Sequence, residues 1–288
     1  MKTLGEVLRL SYDYLQTQKG SFGRLEVEWL IAGVLKKSRI DLYLALDLPL
    51  QEEELEQIRM RLRRLAKGEP LQYIEGEVNF HGCLLAVDRR VLIPRPETEL
   101  LVDLVLETVK TPHLTLVDVC TGSGCIGIAC KKKAAFPIDV LLLDISEEAL
   151  HVAKENARKN GVLVNIHKSD LLEAIPDASI DILVSNPPYV SESEYRDLEV
   201  HVREFEPKKA LVSGHTGLEI YEKLACQIPK KVRPGGRVLF EIWSNQRDAL
   251  EKLFIQHGFK NISFFKDLNA QDRFVSFTTN LSFGFFSQ

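Results

Sequence analysis

The sequence predicts an α/β protein, with a mainly parallel, doubly wound sheet of seven strands preceded by a small helical domain. Three observations lead there. From Leu100 onward, short apolar runs of strand length alternate with helix-length stretches. A glycine-rich turn, Gly122-Ser123-Gly124, follows the first of those runs. Ahead of them, residues 1–70 carry their apolar side chains at helical spacing.

The helical domain is expected from four stretches: Leu4–Leu15, Leu25–Leu35, Ile40–Leu46 and Gln51–Lys67. The fourth puts Leu55, Ile58, Leu62 and Leu65 on one face, opens on Glu52, Glu53 and Glu54, and closes on Arg63, Arg64 and Lys67. That order of charge complements the helix dipole, and Gly68 with Pro70 stops the helix. Its basic end suits an acidic partner or RNA, and equally a solvated face. Residues 71–96 change character. Tyr73, Ile74, Val78, Phe80, Leu84, Leu85 and Val87 are strand-like, with Gly76 and Gly82 as punctuation, so a β-hairpin linker is expected between domains at 1–70 and 97–288.

The seven strands are expected at Leu114–Val119, Ile138–Leu143, Val164–His167, Ile180–Ser185, Arg237–Ile242, Ile262–Phe265 and Phe274–Phe277. Between them Ser146 can cap a helix that Gly161 closes, and further helices are expected near Leu218–Ile228 and Gln246–Gln256. Pro234-Gly235-Gly236 marks a turn before the fifth strand.

The chain has 288 residues and a formal net charge of −4, which argues against a large non-specific nucleic-acid footprint. No apolar run approaches a membrane span, and Met1–Glu6 lacks the apolar core of a signal peptide, so a cytoplasmic protein is expected. The five cysteines show no disulfide framework. Cys120, Cys125 and Cys130 are spaced too widely for a typical zinc pair and read as small apolar fillers, so no metal is expected.

Ligands of doubly wound sheets bind at the carboxyl ends of the strands. At the first such end, Cys120, Thr121, Gly122, Ser123 and Gly124 form a turn whose glycines let the backbone approach a ligand. Asp144 ends the second strand and can accept hydrogen bonds from two ribose hydroxyls. Gly122, Gly124 and Gly127 with this acid fit a dinucleotide fingerprint as well as an S-adenosylmethionine site.

The fourth strand separates the two. It runs directly into Asn186-Pro187-Pro188-Tyr189. Two prolines cannot continue a ladder, so the chain leaves the sheet rigidly after Ser185. The Asn186 side chain and the Pro187 carbonyl are then fixed acceptors for both hydrogens of one planar NH2 group. Such a nitrogen is a poor nucleophile because its lone pair is delocalised. Holding both hydrogens out of plane favours a pyramidal nitrogen facing a methyl sulfonium, while Tyr189 packs on the planar group and excludes water. Hydride transfer to NAD has no need of this arrangement. A nucleic-acid amino methyltransferase could use the same tetrapeptide, but would want a basic, aromatic-rich reading surface.

With these residues, the sequence resembles the HemK/PrmC-type protein-(glutamine-N5) methyltransferases that modify peptide chain release factors. The resemblance rests on Glu69–Ile74 with Gly76, Phe80, Val91–Glu99, Asn186–Tyr189, Glu204–Pro207, Ala210-Leu211 and Gly217–Tyr221. It implies a Rossmann-like methyltransferase sheet, S-adenosylmethionine as donor with S-adenosylhomocysteine as product, and release factors as partners, with no direct nucleic-acid substrate. The target would be the glutamine of a Gly-Gly-Gln motif, held by Asn186, Pro187, Pro188 and Tyr189. Leu171 would lie near the adenine and Asn186 near the methionine end, while Phe80 and Pro94–Glu97 would form part of the substrate wall. The helical domain would hold another part of the factor. Cys120 stands where the family usually has glycine, and Leu171 where some members have an aromatic residue.

Overall fold

The computed structural model describes residues 2–18 and 23–279. Met1, residues 19–22, and the end of the expected 97–288 domain, 280–288, lie outside the described residues. The chain forms two compact units, one of residues up to 76 together with 199–205, the other of 77–198 and the residues from 206.

The first unit holds α1 (Leu4–Gln16), α2 (Arg24–Leu35), α3 (Arg39–Leu44), α4 (Glu52–Ala66) and α5 (Leu71–Glu75). A capping box starts α1: the Thr3 hydroxyl accepts from the Glu6 amide at 3.3 Å, and the Glu6 carboxylate accepts from the Thr3 amide at 2.9 Å. Leu4, Leu30, Ile31, Ile58 and Leu62 are buried in one core. Each such burial contributes roughly 1.5–3 kcal/mol.

Helix α5 corrects an expectation, because Tyr73 and Ile74 are helical rather than strand-like. Pro70 suits the start of a helix, and Gly76 at φ 78° ends it. Arg64 donates to the carbonyls of Tyr73 at 3.2 Å and Ile74 at 3.5 Å, near the end of this short helix. The hairpin is therefore confined to the residues after Gly76.

That hairpin is β1 (Glu77–Phe80) and β2 (Cys83–Ala86), followed by α6 (Thr98–Thr108), β3 (Leu114–Val119), α7 (Cys125–Lys133), β4 (Ile138–Asp144), α8 (Glu147–Lys159) and β5 (Asn165–Lys168). After β6 (Ile180–Ser185) come β7 (Val190–Ser191), α9 (Glu192–Asp197), α10 (Val200–Phe205, in the first unit) and β8 (Val212–Gly214). The remainder is α11 (Glu219–Lys231), β9 (Val232–Glu241), α12 (Arg247–Gln256), β10 (Lys260–Lys266) and β11 (Asp272–Thr278). Helix α6 was not anticipated. The Pro234-Gly235-Gly236 turn bulges within β9 instead of preceding it, since Val232 pairs with Ile180 and Arg237 with Ile182.

Seven strands form one sheet in the order β10-β11-β9-β6-β3-β4-β5. The five from β9 to β5 are parallel, and β11 runs antiparallel to both its neighbours. Apolar side chains of β3 alternate between faces: Leu116 joins the core with Val102, Val105 and Ile128, while Val117 and Val119 join Leu224, Ile228 and Phe254. The chain lays β4 and β5 on one side of β3, then crosses back to place β6 on the other. That reversal opens a crevice at the carboxyl ends of β3 and β6, where ligands of such sheets bind.

Candidate active site

The turn after β3 is built over a buried acid. Asp118, 1% exposed, accepts from the Thr121 hydroxyl at 2.6 Å and from the Gly127 amide at 3.0 Å through one carboxylate oxygen. Burial pushes its carboxyl up to about 7. The Thr121 amide donates to the Leu143 carbonyl at 2.9 Å, tying the turn to the end of β4. Gly124 takes φ 81°, and a Cβ there would lie 2.8 Å from Ile128 Cδ1, so only glycine fits. Cys120 and Leu171 also take positive φ, 58° and 50°, an uncommon conformation for side chains of their size.

Asp144 at the end of β4 accepts from the Gly122 amide and the Ser146 amide, both at 2.9 Å, one through each oxygen. Each oxygen keeps a further lone pair, and the carboxylate lines a cavity with Cys120, Gly122, Leu171, Asn186 and Arg95. Burial raises the Asp144 carboxyl above its usual range. A fixed acidic acceptor, the half-buried Gly122 lining the cavity and the apolar Leu171 suit the ribose and adenine of S-adenosylmethionine.

At the end of β6 the chain leaves the sheet at Asn186. The Asn186 amide nitrogen lies 3.4 Å from the Thr98 hydroxyl, which donates to Glu241 at 2.7 Å. The other oxygen of Glu241 accepts from the Tyr189 hydroxyl at 3.3 Å. Thr98 and Glu241 are each 1% exposed, and burial pushes the Glu241 carboxyl up to about 7. The Tyr189 ring packs 5.5 Å from Trp243, and Gln246 donates to the Tyr189 carbonyl at 2.9 Å. Burial raises the Tyr189 phenol as well.

The structure thus brings Cys120, Thr121, Gly122, Ser123, Asp144, Leu171, Asn186 and Pro188 to one cavity. Gly124 shapes the turn behind it, Pro187 is buried, and Tyr189 turns towards Glu241 and Trp243. Phe80, at 1% exposure, packs in the core with Leu101, Val105 and Ile128. An aromatic residue in a short amphipathic hairpin is the hairpin's main anchor to the sheet, which accounts for its burial.

Sequence reasoning gave no role to Thr98, Glu241 or Glu206. Glu206 is 4% exposed, accepts from the Ile93 amide at 3.1 Å and pairs with Arg95 at 2.6 Å. It thereby holds the Val91–Arg95 segment against the cavity. The runs Val91–Glu99 and Glu204–Pro207 were the available signal for two of these residues. Cys130 is fully buried in the core and Cys125 begins α7, and burial pushes the Cys125 thiol up to about 12. Among the described residues no group of three or more His, Cys, Asp or Glu side chains is placed to hold a metal ion.

A family model described as the methyltransferase small domain matches residues 97–214, and one described as the PrmC N-terminal domain matches 6–76. The chain is 36% identical over 274 residues, 95% of each chain, to a release factor glutamine methyltransferase of Geobacter sulfurreducens. It is 38% identical to the Chlorobaculum tepidum protein of the same name, over 94% of this chain and 95% of that one. Among solved structures, a methyltransferase from Pyrococcus furiosus shares the fold with a TM-score of 0.52 at 17% identity, over 80% of this chain and 100% of that one.

Proposed function

Because the chain belongs to the release factor glutamine methyltransferase family, we propose that it methylates the side-chain amide nitrogen, N5, of the glutamine in the Gly-Gly-Gln motif of peptide chain release factors. S-adenosylmethionine is the methyl donor. The observation that carries this reading is the rigid Asn186–Tyr189 segment, which leaves β6 beside the cavity lined by Asp144 and the glycine turn.

When bound, S-adenosylmethionine would supply an electrophilic methyl group on a sulfonium, with S-adenosylhomocysteine as the leaving product. Asp144, Gly122, Ser123 and Leu171 hold the donor. Asn186 Oδ1 and the Pro187 carbonyl accept the two amide hydrogens, setting the nitrogen lone pair towards the methyl group. No general base is required of the chain, because the methylated nitrogen becomes strongly acidic and releases its proton to solvent. Positioning and electrostatics therefore supply the catalysis.

The helical unit, with Trp29, Ile40 and Leu44 exposed on α2 and α3, holds a second part of the factor in this reading. A translation factor as substrate also places the work in the cytoplasm. Among the described residues no helix is long and apolar enough to cross a membrane. Fragmentation mass spectrometry of a release factor treated with the protein and S-adenosylmethionine tests the assignment. One added methyl on the amide of the Gly-Gly-Gln glutamine is expected. A methyl on any other residue overturns it.

A further inference from the structure

A nitrogen clamp works only if the Asn186 amide presents its oxygen, not its NH2, to the substrate. The tetrapeptide alone does not decide that, since an amide can rotate by half a turn in the same space. The neighbouring hydrogen bonds do decide it. The Thr98 hydroxyl owns one hydrogen and directs it at Glu241 Oε2, 2.7 Å away. Its oxygen is then left with lone pairs only towards Asn186, where the amide nitrogen lies at 3.4 Å. With Glu241 ionised, the opposite amide orientation would set Asn186 Oδ1 against an oxygen with no hydrogen to give. Both Thr98 and Glu241 are 1% exposed, so water offers no ready substitute.

We infer that Thr98 and Glu241 are positioning residues that fix the Asn186 amide with its oxygen towards the substrate nitrogen. Glu241 serves twice, because its second oxygen accepts from the Tyr189 hydroxyl at 3.3 Å. One buried carboxylate thereby orients both ends of the Asn186–Tyr189 segment. Its own backbone is anchored too, the Tyr221 hydroxyl donating to the Glu241 carbonyl at 2.6 Å. The inference rests on the proposed methylation reaction.

The test compares four full-length variants for kcat on a release factor and for Kd of S-adenosylmethionine. Thr98→Val removes the hydroxyl at nearly constant volume, and Glu241→Met removes the acceptor that commits the Thr98 hydrogen. Each should lower kcat about tenfold or more, as losing one fixed orientation implies, with Kd for S-adenosylmethionine within about twofold. Thr98→Ser keeps the hydroxyl and Glu241→Gln keeps an acceptor oxygen, so both should retain most of the wild-type kcat. Since the two damaging variants act at different residues, one that folds is enough. A kcat at the wild-type level in Thr98→Val or Glu241→Met overturns the inference, as does an equal loss in Thr98→Ser and Thr98→Val. A wild-type protein that methylates no release factor instead overturns the functional reading beneath it.

Discussion

Asn186 and Asp144 face one cavity from the ends of different strands, so their removal separates chemistry from binding. Asn186→Ala should lower kcat roughly 10²–10³-fold, the usual cost of deleting one aligned hydrogen-bonding group at a reacting centre. Its Kd for S-adenosylmethionine should stay nearly unchanged. Asp144→Ala should do the reverse, weakening S-adenosylmethionine by roughly tenfold or more in calorimetric titration while saturating donor restores much of kcat. Equal effects of both variants on kcat and Kd would contradict the assigned roles. Cys120 illustrates a different residue-scale effect. At φ 58° a side chain costs roughly 1–2 kcal/mol of backbone strain. Cys120→Gly should therefore leave stability unchanged or raise it by up to about 1 kcal/mol. A clear loss in urea unfolding would mean that the thiol's packing outweighs the strain.

Elements differ in how openly the sequence declares them. The strands around the cavity were legible because parallel, doubly covered strands are continuous apolar runs, as in Val140–Leu143, which runs into Asp144 at the site. Asn186–Tyr189 was legible because its chemistry sits in four consecutive residues. Helix α5 was not, since five residues show no helical period and Tyr73 and Ile74 favour strands; the carbonyl contacts from Arg64 decide the matter. Thr98 and Glu241 were hidden for a related reason. They stand 143 residues apart and meet only because α6 packs beside the end of β9. Helix α7 gives the test at this scale. A Cβ on Gly127 would come within 2.3 Å of Leu142 Cδ2, so Gly127→Ala must displace the Leu142 side chain or push α7 away from β4. Stability should fall by about 1–3 kcal/mol, read as a lower Tm. An unchanged Tm would show that α7 and β4 are not held as closely as the structure places them.

For the whole molecule, the crossover from β5 back to β6 is what brings Asp144, Asn186 and Pro188 to one crevice. The same construction buries Asp118 and Glu241, and that sets a pH dependence. Burial holds Asp118 and Glu241 near 7, against ordinary values of 3.8 and 4.5. Between those limits the folded form binds more protons than the unfolded chain, so their stabilising effect is complete below the ordinary values and lost as pH rises through about 7. Glu219 works in the opposite sense: against the burial that opposes it, hydrogen bonds from Thr216 and Ser213 hold it down to about 2, so its stabilising effect is complete above 4.5 and is lost as pH falls towards about 2. Urea midpoints should thus fall between about pH 5.5 and pH 8, and Asp118→Asn should flatten the fall. A midpoint that rises over that interval would contradict the burial of these carboxyls.

In the proposed reaction the clamp beside β6 serves a protein glutamine. Labelled S-adenosylmethionine is incubated with the protein and, in separate reactions, a release factor, its Gly-Gly-Gln→Gly-Gly-Ala variant, DNA and RNA. Label on the unaltered release factor alone is the predicted result. Label on nucleic acid, or equal label on both release factors, would contradict it.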